Sequence, residues 1–134
     1  PGSAMISLEI IGDQIMLSRK GGSSGNPTWN EPDPLVTIQK GQWIDLVLRV
    51  DWRRTNGATE IWANGVKKYS NTSMQTVYNN VPVGGGFKYG IYYWRWKEKQ
   101  SVIDSRAAGI VSREIFIDQI KEYKGTNGYN VVAP

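Results

Sequence analysis

Cysteine and histidine are both absent from the 134 residues. That removes disulfides, thiolate nucleophiles, zinc centres built on Cys or His, and every His-based catalytic triad. Proton transfer or nucleophilic attack by this chain must use Asp, Glu, Tyr, Lys, Ser or Thr. No apolar run approaches the ~20 residues of a membrane-spanning helix, so no transmembrane segment and no membrane partner are expected. Helical periodicity is also missing. Charge of one sign is only mildly in excess: 16 Lys and Arg against 12 Asp and Glu leave +4, which favours an anionic partner without naming it. The first residue is Pro1, not Met, and no charged, apolar and small-residue leader follows it. A piece of a longer parent is therefore expected.

What remains is a globular balance of 40% hydrophobic and 21% charged residues, sized for one domain, 1–134. Its dominant pattern is strand alternation. Ile6, Leu8 and Ile10 alternate with Ser7 and Glu9, and Ile15 and Leu17 repeat the pattern beyond a Gly12-Asp13 turn. Residues 21–34 (GGSSGNPTWNEPDP) read as a loop. In WIDLVLRVDW, Ile44, Leu46, Leu48, Val50 and Trp52 share one parity and suit a core. Trp43, Asp45, Val47, Arg49 and Asp51 share the other. Asn56-Gly57 and Asn64-Gly65 mark two tight turns and hence a three-stranded meander. A polar, Gly-rich stretch over 70–86 precedes two further strand patterns, 87–96 and 113–123, with a polar loop over 97–112. About eight short strands separated by turn residues imply an all-β antiparallel sandwich or jelly roll.

The strand pattern over 87–96 carries the most unusual face. Phe87, Tyr89, Ile91 and Tyr93 point one way and suit a core; Lys88, Gly90, Tyr92 and Trp94 point the other. In an extended strand Lys88 and Tyr92 stand ~13 Å apart, flanking a residue without a side chain, where a sugar ring could approach the backbone. Arg49 and Asp45 would line the same face if both strands lie in one sheet. A cation beside a tyrosine favours its phenolate, which would make Tyr92 usable as a base. Other motifs are weaker. Gly84-Gly85-Gly86 lacks the Lys-Ser/Thr and helix of a phosphate loop. Asn71-Thr72-Ser73 fits a glycosylation sequon. Arg53, Arg54, Lys67 and Lys68 read as solvated hairpin ends. No spaced carboxylate pair marks a two-carboxylate glycoside hydrolase. Asn79-Asn80 could offer oxygens to a structural calcium ion, but no carboxylates cluster with them. No other cofactor is implied.

The runs GQWIDLVLRVDW, TEIWANGVKKY and FKYGIYYW, in that order, resemble the second half of the concanavalin-like jelly-roll polysaccharide lyases, the group of glucuronan, alginate and heparin lyases. The opening ISLEIIGDQIMLS is similar to the strand pair after that family's Gln-x-His strand, and REIFIDQIKEYKG is similar to its final strand. The "YFKxGxY" pattern departs only at Gly86. The resemblance implies β-elimination at a uronic acid. Tyr92 would abstract the C5 proton, protonate the leaving oxygen, or do both, and Lys88 would meet a substrate carboxylate or sulfate. It also implies an incomplete jelly roll: the family's Gln and His lie upstream of Pro1. A complementing N-terminal segment, or self-association over exposed strand edges, is then expected. A secreted or periplasmic location follows from such a substrate.

A second reading of another class is a non-catalytic carbohydrate-binding module on the same scaffold, presenting Trp94, Tyr92 and Trp43 to sugar rings. Nucleic-acid binding draws only on the charge and the aromatics, with no RNP, OB or helix-turn-helix pattern, and is not expected.

Overall fold

The computed structural model describes residues 4–133, apart from the side chain of Trp94. The chain forms two compact units, residues 4–85 with 122–133, and residues 86–121.

The first unit holds seven strands: β1 (Ile6–Ile11), β2 (Gln14–Ser23), β3 (Asn26–Trp29), β4 (Asp33–Thr37), β5 (Leu46–Asp51), β6 (Gly57–Ala63) and β7 (Val66–Met74). All pairings are antiparallel. One sheet is centred on β2, with β1, β3 and β4 paired to it, and the other runs β5-β6-β7. The inner faces of both sheets meet in one core. Leu17 and Ile61 are fully buried and Leu35 is 5% exposed, with Ile6, Leu8, Ile15, Val36, Leu48 and Tyr69 packed around them. The antiparallel β-sandwich expected from alternation is therefore present, and Leu8 and Leu48 take the parities assigned to them. A bulge in β4 adds to the packing. Ile15 pairs with Val36 and Met16 with Pro34, so Leu35 is the extra residue and two consecutive side chains reach the core.

The turns follow local chemistry. Gly12 takes φ 63 at the β1–β2 turn, and Asn64 and Gly65 take φ 49 and 75 at the β6–β7 turn, the double positive φ of a tight hairpin. Gly57 departs from expectation. It opens β6 rather than turning the chain, and only glycine fits there, since a Cβ would meet Thr76 Oγ1 at 2.5 Å and the Asp51 carbonyl at 2.7 Å. Thr76, fully buried, accepts the Arg53 N–H at 2.7 Å and donates to the Asp51 carbonyl at 2.7 Å.

The stretch read as a loop over 21–34 is instead the β2–β3 hairpin and the start of β4. Glycines carry no strand signature, yet their backbones can still pair. Gln75 secures this part: its Oε1 accepts the Gly22 N–H at 2.8 Å and its Nε2 donates to the Gly22 carbonyl at 2.9 Å.

The second unit corrects three further expectations. Residues 87–93 and 113–121 form no strand, a 3-10 turn spans Trp94–Lys97, and α1 (Lys99–Ala107) stands where a loop was expected. A strand exists only by main-chain bonding to a neighbour, and alternation alone does not supply one. Local geometry also interrupts both runs, with Gly90 at φ 131 and Gln119 at φ 50. Phe87 and Tyr89, expected in a core, are 61% and 63% exposed. The helix ends in a Schellman motif: Gly109, at φ 74, donates to the Arg106 carbonyl at 2.9 Å and Ile110 to the Ser105 carbonyl at 2.8 Å. A last one-turn helix, α2 (Tyr129–Val132), belongs to the first unit and lies against β5.

Candidate functional site

In the second unit, Gly86 leads the chain into an irregular segment that carries Lys88, Gly90 and Tyr92. Tyr92 is 84% exposed and Lys88 is exposed too, with no ion pair among the described residues. Because Gly90 leaves the β region, strand parity does not carry through from Lys88 to Tyr92, and the ~13 Å spacing of a straight strand does not apply. Beyond Tyr92 the geometry tightens. Tyr93 is extended at φ -130 and ψ 96 and caps the 3-10 turn. The Tyr93 ring meets Trp96 edge-on at 6.0 Å and carries the Arg113 guanidinium at 4.8 Å. An exposed phenol thus directly precedes a residue held by two ring contacts. Trp94 opens the 3-10 turn, but its side chain lies outside what is described.

The remaining expected residues belong to the first unit. Arg49 sits on the outer face of β5, opposite Glu60 of β6. Its guanidinium meets the Glu60 carboxylate at 2.6 Å, and the Lys67 ammonium meets the other carboxylate oxygen at 2.6 Å. Arg49 is therefore engaged, though half-exposed. The hydrogen-bonded Lys67 ammonium holds the Glu60 carboxyl below its ordinary range, and Arg49 adds in the same direction against the opposing effect of burial. Lys67 also lies 4.8 Å from the centre of the Trp62 ring, which stacks at 4.7 Å on Tyr129 of α2. Asp45 and Trp43 precede β5. The Asp45 N–H donates to Asn64 Oδ1 at 2.9 Å, and Trp43 is 67% exposed. Trp43 and Asp45 line the start of this sheet while Arg49 stands further along it. The sheet carrying Arg49 contains β5, β6 and β7 among the described residues, so 87–96 adds no strand to it.

Sequence reasoning missed the Glu60 cluster, reading Lys67 as a solvated hairpin end. The available signal was the opposite charge of Arg49 and Glu60 on strands joined by a short turn. It also missed Lys20, which is 7% exposed and stacks its ammonium 3.9 Å from the centre of Trp29. Burial pushes the Lys20 pKa down, with Glu9 opposing. No cluster of three or more His, Cys, Asp or Glu that could hold a metal ion occurs among the described residues.

A crystal structure of an endo-β-1,4-glucuronan lyase from the fungus Trichoderma reesei is similar at 24% identity and a TM-score of 0.48, over 56% of this chain and 34% of that one. The chain thus spans about a third of that enzyme's length. No curated protein matches significantly. The sequence of the polysaccharide lyase family matches over residues 1–121, from β1 through the Lys88–Tyr92 segment to the run after α1. With nearly the whole chain inside that match, this protein is a member of the polysaccharide lyase family.

Proposed function

We propose that the protein cleaves an anionic, uronate-containing polysaccharide by β-elimination, with Tyr92 as the proton-transfer group and Lys88 as the carboxylate partner. The observation that carries this reading is the Phe87-Lys88-Tyr89-Gly90-Ile91-Tyr92 segment, exposed and inside the family match. Family membership also favours the lyase over a non-catalytic carbohydrate-binding module.

In the reaction, the Lys88 ammonium neutralises the uronate carboxylate, which makes the C5 hydrogen acidic enough to remove. The Tyr92 phenolic oxygen takes that proton as it gives up its own. The C5–H electron pair becomes the C4–C5 double bond as the C4–O bond breaks, and the leaving oxygen takes a proton from the phenol. Atoms and charge balance with no co-reactant.

The exposed alternating residues Phe87, Tyr89, Ile91, Ile115 and Ile117 have no strand neighbour among the described residues. That supports a complementing N-terminal segment or a second copy as part of the working enzyme. A secreted or periplasmic setting completes the reading, since such polysaccharides are extracellular.

The test is the ultraviolet absorbance of the unsaturated uronate end on incubation with glucuronan, with and without added upstream segment. Tyr92→Phe should lower the rate by about 10²-fold or more, the usual scale for a general acid or base. Undiminished product formation in that variant would remove Tyr92 from the mechanism.

A further inference from the structure

We infer that a concavity of the second unit, beside the segment bearing Tyr92, is a subsite for an anionic substituent of the glycan, a carboxylate or a sulfate ester. The glycan identity of this ligand rests on the lyase reading above.

The site is built by the end of α1. The Schellman motif at Gly109 reverses the chain so that residues 110–113 run back beside the helix. Between them and the 3-10 turn lies a cavity of about 160 Å³, lined on its apolar part by Trp96 and three aliphatic side chains and on its polar part by Ser105, Arg106, Ser112 and Arg113. Its chemistry is one-sided. Two arginines and two serines make up its polar lining, and no acidic residue is part of it. Neither Arg106 nor Arg113 forms an ion pair among the described residues. The nearby acids are engaged elsewhere on the helix: Asp104 accepts from Gln100 at 2.8 Å and Glu98 from Ser101 at 3.0 Å.

Arg113 is also held in place. Its Nη2 reaches Ser105 Oγ at 3.4 Å, and its guanidinium lies over the Tyr93 ring. Stacking leaves the edge of the guanidinium plane open, and that edge presents the paired N–H groups that match carboxylate or sulfate oxygens. Trp96 supplies an apolar wall for a sugar ring. The wider field agrees: residues 86–121 hold seven Lys and Arg against four Asp and Glu, which is +3 of the chain's +4. Tyr93, which carries Arg113, directly follows Tyr92 in the chain. A glycan with its scissile bond at Tyr92 could therefore place a neighbouring residue's anion here.

The experiment uses the full chain with Tyr92→Phe, so that nothing is consumed. A glucuronate tetrasaccharide, a sulfated cellotetraose and neutral cellotetraose are titrated while the Arg Nε–H and Trp96 indole N–H resonances are followed by NMR. The anionic sugars should shift the Arg106, Arg113 and Trp96 signals, and the tighter of the two identifies the substituent. Adding Arg106→Gln or Arg113→Gln should weaken binding about tenfold each, the scale of one lost charge-assisted hydrogen bond. Unchanged signals from the first unit show that each variant is folded. Equal affinity in the Gln variants, or equal binding of cellotetraose, overturns the subsite. Failure of the lyase reading is separately visible, as absence of unsaturated product from the protein with Tyr92 intact.

Discussion

Glu60 is a single carboxylate held by two cations from its two neighbouring strands, and its ionisation lies below the ordinary range. A carboxyl lowered in the folded state stabilises the fold fully above the ordinary carboxylate range, ~4.3, and loses that contribution as pH falls through its folded value. Glu60→Gln should therefore lower the urea midpoint at neutral pH and have little effect in acid, where the two proteins converge. A gap that persists unchanged in acid would show that shape, not charge, is responsible. Exposed pairs of this kind are worth about 0.2–1 kcal/mol, so the effect is modest. Thr76 is a larger case. Its buried hydroxyl serves the Arg53 N–H and the Asp51 carbonyl, and Thr76→Val leaves both without it. A loss of about 1–3 kcal/mol is expected from chemical denaturation. At this scale the sequence was informative where a side chain announces its neighbour, as at Asn64-Gly65. It was silent for Thr76, whose partners are backbone atoms 23 and 25 residues away.

Elements were legible where burial and pairing coincide. Leu8, Leu17, Leu48 and Ile61 alternate because one face of each strand meets the opposite sheet. Leu17→Ala should accordingly cost about 2–5 kcal/mol, read as a lower melting midpoint. The β2–β3 hairpin was not legible, since Gly21 and Gly22 pair through main-chain atoms that composition does not encode. α1 was obscured for the opposite reason: none of its residues is buried, so no apolar stripe marks it. Its stop signal was nonetheless present at Gly109. For the candidate site, the roles proposed for Lys88 and Tyr92 rest on the family-like segment, whereas Arg106 and Arg113 come to line one cavity only through the turn that ends the helix. Gly85 belongs to the same class of hidden constraint. A Cβ there would fall 2.0 Å from the Trp52 ring, so Gly85→Ala should displace that indole and alter the near-ultraviolet circular dichroism. An unaltered spectrum would mean that the backbone yields instead.

The whole molecule divides its stability unevenly. The first unit has two sheets around one buried cluster; the second has an exposed helix, a 3-10 turn and extended runs. Segments with few buried apolar contacts open at low cost. Brief proteolysis should thus cut within residues 86–93 or 110–121 before it cuts β2 or β6, with fragments identified by mass. First cuts inside the sandwich would reverse that ranking. Seen at this scale, the Gln75 side chain acts as a detached peptide group, offering Gly22 one donor and one acceptor from 53 residues away. The consequence concerns isotope exchange. The Gly22 amide hydrogen is shielded from solvent deuterium by a side chain, so its exchange rate reports on the seating of the 75–79 segment rather than on β2 itself. In Gln75→Ala this one amide would exchange quickly while Leu17 stayed protected, separating the fraying of one distant loop from the opening of the sheet.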